Sequence, residues 1–158
     1  MAGRVDVRWP TDEDTAELVR RMRAADRAEM GATIGDADPL ESMKYAIAHS
    51  SHAWAILING RLAMIGGLYP MDTLLGGAEA QPWMMATDLM DTTPRILMRV
   101  ALRYLSIMRG RYPRLSNHVD ARNRRSIRWL QAIGFTVHEH TVPFGPYGLP
   151  FHPFEMNS

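Results

Sequence analysis

Residues 113–135 read PRLSNHVDARNRRSIRWLQAIGF. Leu115 to Asp120 is a short, part-alternating run bounded by Pro113 and Asn123, the pattern of a strand. Asn123 stands where a helix should begin, because its side-chain oxygen can accept one of the orphan backbone N–H groups of a first turn. Ile127, Leu130 and Ile133 follow at a spacing of three with Trp129 beside them, which makes one helix face apolar. Gly134 is placed to take the left-handed conformation past the helix end, and Phe135 opens another strand. The segment therefore predicts strand, turn, helix, strand.

Working outward, a long helix is expected from about Thr93 to Arg109. Ile96, Val100, Tyr104 and Met108 recur every four residues there, flanked by Leu97, Ala101 and Leu105. Pro94 lies in its first turn, and Gly110 is expected just past its end. Before it, PWMMATD (82–88) reads as a strand buried on both faces. A glycine-containing loop is expected over 71–81. HAWAILI (52–58) and RLAMIGGLY (61–69) flank Asn59-Gly60, the pair a type I′ hairpin turn prefers. Gly66-Gly67 suggests a bulge or a close backbone approach.

The N-terminal part predicts a strand over 4–9 ended by Pro10. One helix is then expected from a Thr11 or Asp12 cap to about Met30, with Leu18, Met22, Ala25 and Met30 as its apolar stripe. GATIGDAD (31–38) reads as a loop, and Pro39 starts a second helix through about His49. The tail, 142–158, is rich in Pro, Gly and aromatics, with an edge strand expected over Phe151 to Met156. The order is β-α-α-β-β-β-α-β-α-β-β, an α/β domain spanning 1–158 with a mixed sheet of six to seven strands and about four helices.

The chain has 158 residues, enough for one domain with a full core, and no apolar run near the roughly 20 residues a bilayer span needs. It has no cysteine, so disulfides and thiol nucleophiles are excluded. The N-terminus lacks the apolar centre of a secretory signal, and an intracellular protein is the simplest expectation. The net charge of +1 is unevenly spread. Arg95 to Arg128 holds ten arginines and one acid, a block of +9, while the remainder holds eight basic and sixteen acidic residues, −8. Arginine pairs bidentately with phosphate or carboxylate, so the block suits an anionic ligand or non-specific contact with DNA; as a solvated face it would simply balance the acidic half.

The order of elements, with Asn123 opening a one-face helix that ends in Gly-Phe, resembles the GNAT N-acetyltransferases over nearly the whole chain. From Pro82 onward it is more specifically similar to the GNAT-like internal virion protein A family of short-tailed phages. The residues that carry this are Trp83, Thr87 and Asp88; Tyr112, Leu115 and Asn117; the run from Asn123 to Phe135; and Gly148, Phe151 and Phe154 of the tail.

The resemblance assigns expectations to single residues. The backbone around Met85, Ala86 and Thr87 would hold the acetyl-CoA thioester, and Thr92 and Thr93 would meet its phosphates or else cap a helix. Asn123 would touch the pantetheine arm or serve as a cap only. Asp88 and Asp120 are the candidate bases, with Asp88 alternatively capping the loop and Asp120 alternatively pairing with Arg122 or Arg124. Two features depart from the family pattern. The loop DLMDTTPR (88–95) has no glycine to bring amides against a pyrophosphate, and the proton-donor tyrosine position holds Leu130, which exchanges no proton. His138 and His140 share a strand face, but without an acid cluster no metal site is expected; His118 reads as a sheet residue.

Two functions follow. The first is a phage virion-associated or assembly protein with a degenerate acetyl-CoA site, no cofactor, virion or portal-region partners, and a location in the virion or host cytoplasm. The second is an acetyl-CoA-dependent N-acetyltransferase acting on an amine of a protein or small molecule.

Overall fold

A computed structural model describes residues 3–71 and 79–157. The glycine-containing loop expected over 71–81 lies for the most part outside the described residues. Strand β1 (Val5–Arg8) leads through α1 (Asp12–Arg21), α2 (Ala24–Ile34) and α3 (Pro39–His49) to the hairpin β2 (His52–Ile58) and β3 (Arg61–Met71). Then come β4 (Glu79–Ala86), the short α4 (Leu89–Thr92), the long α5 (Pro94–Arg111), β5 (Arg114–Asp120), α6 (Arg124–Ala132), β6 (Thr136–Val137), β7 (Val142–Phe144) and β8 (Leu149–Asn157). The eight strands make one mixed sheet, ordered β1-β2-β3-β4-β5-β8-β6, with β7 also on β8.

Local signals in the sequence explain most element ends. Thr11 and Asp14 form a reciprocal capping box on α1, and Asp38 caps α3 just before Pro39. Asn59 and Gly60 both have positive φ, 51° and 78°, as a type I′ turn requires. Asn123 accepts the Ser126 N–H at 3.3 Å and so caps α6, and Gly134 leaves that helix at φ 108°. A Cβ on Gly67 would stand 2.8 Å from both the His52 carbonyl oxygen and the Trp83 ring, so this is a close backbone approach. The register shift lies elsewhere on the same strand: Ile56 and Leu57 face Met64 and Leu62, leaving Ala63 as the extra residue.

The structure departs from the sequence reading in four places. The single helix expected to run to Met30 is two helices. Met22 and Arg23 leave helical geometry (ψ 138° and 147°) because Met22 bridges to Thr87 and the Arg23 N–H donates to the Ala86 carbonyl at 2.9 Å. Tertiary bonds override local helix preference there. The expected loop at 31–38 is helical as far as Ile34. Gly110 is inside α5, which runs on to Arg111 with Tyr112 as its C-cap. The tail strand is not an edge: β8 is paired along its length with β5 and on its other side with β6 and β7.

The sheet is covered on both faces. Leu18, Met30, Met43 and Ile47 of α1–α3 pack on Ala55, Leu57 and Ile65. On the opposite face Leu97 of α5 packs with Ile56, Ile58 and Met64, while Leu105 and Leu130 pack with Leu115 and Val119. Ile56 and Leu57 thus face opposite sides, as the two-residue period of a strand dictates.

Candidate active site

The site is created by two strands that part. β4 and β5 run parallel and pair only at Glu79 with Arg114 and Ala80 with Leu115. Beyond that they diverge while β5 stays zipped to β8 from Arg114 to Asp120. At the narrow end the Asn117 amide reaches across the gap and donates to the Pro82 carbonyl at 3.0 Å. At the wide end the Ala86 N–H donates to Asp26 Oδ2 at 2.9 Å, and the Ala86 carbonyl accepts from Arg23. Pro82 and Ala86 therefore aim backbone polar atoms toward β5, and strand alternation aims those of Met84, midway between them, into the opening.

A cavity of about 350 Å³ fills this opening and passes through the sheet. On one face it meets Ala101 and Tyr104 of α5 and Ser126, Trp129 and Leu130 of α6. On the other it meets Glu29 and Thr33 of α2, Trp83 and Met85 of β4, His118 of β5 and Phe144 of β7. Its lining is overwhelmingly apolar, so the few polar groups that reach it govern its chemistry.

Glu29 is the principal one. Its Oε1 accepts the Asp120 backbone N–H at 2.7 Å. Burial pushes its carboxyl up to about 7, with the nearby Asp26 and Asp120 adding to the rise while hydrogen bonds from the Asp120 amide and the Asn123 side chain oppose it. A carboxyl titrating near neutrality inside an apolar cleft is suited to move a proton. His118 is the second. Its Nδ1 is buried without a hydrogen-bond partner among the described residues, and its ring stacks on Phe144 at 4.7 Å between centroids. Burial holds its imidazole below the ordinary value, hence neutral at pH 7.

Glu29 was not among the expected site residues. A signal for it exists in the sequence: Met22, Ala25 and Glu29 fall at i, i+3 and i+7, so an acid occupies the apolar stripe. His118 was expected only as a sheet residue, and the burial of its Nδ1 depends on Phe144, 26 positions away in the chain and invisible to any local pattern.

The expected residues take up distinct places. Met85 lines the cleft, as does Leu130. The Ala86 backbone is held by α2, and Thr87 is fully engaged with β3, its Oγ1 donating to the Leu62 carbonyl at 2.9 Å and its N–H to Ala63. Thr92 and Thr93 both donate their hydroxyls to the Leu89 carbonyl, at 3.0 and 2.9 Å. Asn123 is buried, capping α6 through its oxygen and donating to Asp26 Oδ1 at 3.2 Å through its nitrogen. Asp88 is outside the cleft, its side chain 82% exposed and 3.4 Å from Arg21. The Asp120 carboxylate is turned to Arg122, whose Nη2 is 2.7 Å away. Burial pushes that carboxyl up, but the Arg122 hydrogen bonds and charge outweigh burial and hold it below the usual range. His138 and His140 lie ring to ring at 5.5 Å with His138 3.6 Å from Glu155, and no three potential metal ligands converge among the described residues.

The wide end of the cleft is densely charged and internally paired. Asp26 accepts from Arg23 at 3.1 Å, from the Ala86 amide and from Asn123, and Asp91 of α4 sits 2.6 Å from Arg125 and 3.5 Å from Arg23. Asp91 is therefore directed at guanidinium groups. Arg95, Arg99, Arg124 and Arg128 form no ion pair among the described residues.

No family model matches the sequence, and no curated protein matches it. Solved structures do match the fold. A GNAT-family acetyltransferase from Streptococcus pneumoniae superposes with a TM-score of 0.64 at 15% identity, covering 98% of this chain and 99% of that one. A putative acetyltransferase from Salmonella typhimurium, solved with acetyl-CoA, gives 0.65 at 15% identity over 97% and 93%. An aminoglycoside acetyltransferase solved with ribostamycin and coenzyme A gives 0.71 at 15% identity over 97% and 93%. The fold is that of the GNAT acetyltransferases.

Proposed function

We propose that this chain is an acetyl-CoA-dependent N-acetyltransferase acting on an amine. The observation that carries the reading is Glu29, a half-buried carboxyl raised to about 7 where the parted strands open the sheet from face to face. A general base for an ammonium needs that combination of location and basicity.

The residues present suit the cosubstrate. The gap between β4 and β5 offers the Met84 backbone as a strand-like partner for an extended amide-containing arm, and the α5–α6 side offers apolar walls for it. The glycine-free loop is compensated in charge, because Asp91 is neutralised by Arg125 and Arg23 and further arginines stand on α5 and α6. Bound acetyl-CoA would supply a thioester, its C–S bond breaking as the acceptor's N–C bond forms and its sulfur leaving as the thiol with the second amine proton. Glu29, ionised, takes the first proton from the acceptor ammonium and leaves the lone pair free to attack. Met84 N–H would bond the developing oxyanion. Leu130 contributes no proton, but a thiol of pKa about 8.5 is a competent leaving group, so the missing acid lowers the rate without forbidding the step.

The test is calorimetric titration of the purified protein with acetyl-CoA, followed by acetyl-transfer assays on Glu29→Gln. Saturable micromolar binding and a loss of about 10²- to 10⁴-fold in kcat are expected. No binding at millimolar acetyl-CoA overturns the reading.

A virion-associated module that has lost its chemistry is the second reading. The observation on its side is that the Thr92 and Thr93 hydroxyls are both used on Leu89, leaving neither for a phosphate. Its setting would be the virion or host cytoplasm, with virion or portal-region proteins as partners and the Arg95–Arg128 block contacting DNA non-specifically. The same titration separates the two.

A further inference from the structure

We infer that the acceptor is a compact monoamine with an aromatic body, seated on the α2 face of the cleft between Trp83 and Phe144. The inference rests on the acetyltransferase reading and adds the chemistry of the second substrate.

Charge comes first. On this face Glu29 is the only carboxylate among the described cleft-lining residues; Thr33, Trp83, Met85, His118 and Phe144 around it are uncharged or apolar. One ammonium therefore has one partner. A polyamine or an aminoglycoside would bring further ammonium groups into apolar surroundings with no counter-charge, where an unpaired ion is strongly disfavoured.

Shape comes second. The turn between β7 and β8 is pressed onto the end of α2: a Cβ on Gly145 would stand 2.0 Å from the Ala32 carbonyl oxygen, and the Tyr147 hydroxyl donates to Asp36 at 3.2 Å. This seam closes the α2 face against an extended polypeptide and leaves room for a small molecule. The walls are aromatic, with His118 stacked on Phe144 and Phe144 tilted against Phe151, so a flat ring is the complementary body.

The experiment titrates phenethylamine and spermidine into the full chain at pH 8 by calorimetry, without acetyl-CoA, and repeats the two as acceptors with thiol release as readout. Phenethylamine is expected to bind at least tenfold tighter than spermidine. Phe144→Asp, which adds a second carboxylate, is expected to reverse the order of phenethylamine and spermidine. Spermidine binding as tightly as phenethylamine to the unaltered protein, or no phenethylamine binding at millimolar concentration, overturns the inference whether or not the variant folds. Failure of acetyl-CoA to bind overturns the acetyltransferase reading, and the amine titrations register separately from it.

Discussion

Asp26 and Glu29 are carboxyls one turn apart on α2, and the regions they occupy could hardly differ more. Around Asp26, at the wide end of the cleft, Arg23, the Ala86 amide and the Asn123 amide all donate to the carboxylate. Around Glu29, in the cleft itself, one backbone N–H and the Asn123 side chain oppose burial, and mostly apolar side chains fill the rest. The first region spends its polar groups on each other and so fixes α2 to β4 and α6. The second leaves a carboxyl undersupplied with donors, and that deficit is what makes it basic. A buried acid becomes architecture or chemistry according to how many donors surround it.

The strongest way to break this contrast is Asp26→Ala. It would leave Arg23, whose side chain is 7% exposed, with only the longer 3.5 Å contact to Asp91, and is expected to cost about 3–5 kcal/mol in chemical denaturation. A loss below about 1 kcal/mol would mean the charged knot is not structural. Next comes pH. The Glu29 carboxyl is raised from 4.5 to about 7 on folding, so its contribution to stability is fully present below pH 4.5 and is lost as the pH rises to about 7. The linkage amounts to roughly 3 kcal/mol at most, and Glu29→Gln should flatten the stability curve across that window. An unchanged slope in the variant would remove Glu29 as the displaced carboxyl. The smallest effect belongs to Asp91→Asn. Asp91 is 36% exposed and Arg125 60%, so losing their pair should cost no more than about 1 kcal/mol. Acetyl-CoA affinity in that variant should rise, since an arginine is released near the expected phosphates; a fall would show that Asp91 positions the loop.

Much of the scaffold was legible because its signals are local. Asn123, Gly134, Thr11, Pro39 and the Asn59-Gly60 turn each act within four residues, and the spacing-four stripe of α5 states its own period. The break at Met22–Arg23 was not legible, since the bonds that cause it come from Ala86 and Thr87, more than sixty residues later. The same limit applied to the cleft. Asp88 and Asp120 stood out as acids at strand ends, yet whether an acid meets solvent, an arginine or a cavity is decided by partners from other elements. For Asp120 that partner, Arg122, is a near neighbour, and pairing with it was one of the alternatives the sequence offered. Glu29 hid within a helix whose interruption the sequence did not reveal.

The seating of α2 has a mechanical consequence. Its first turn is bolted to β4 and α6 through Asp26, and its last turn lies under the Gly145 turn with no space for even one more carbon. A beam clamped at both ends cannot tilt to admit a larger guest. Any widening of the cleft on this face must therefore come from rebuilding the β7–β8 turn, and under the proposed function that turn is where natural or designed variation in substrate size should accumulate.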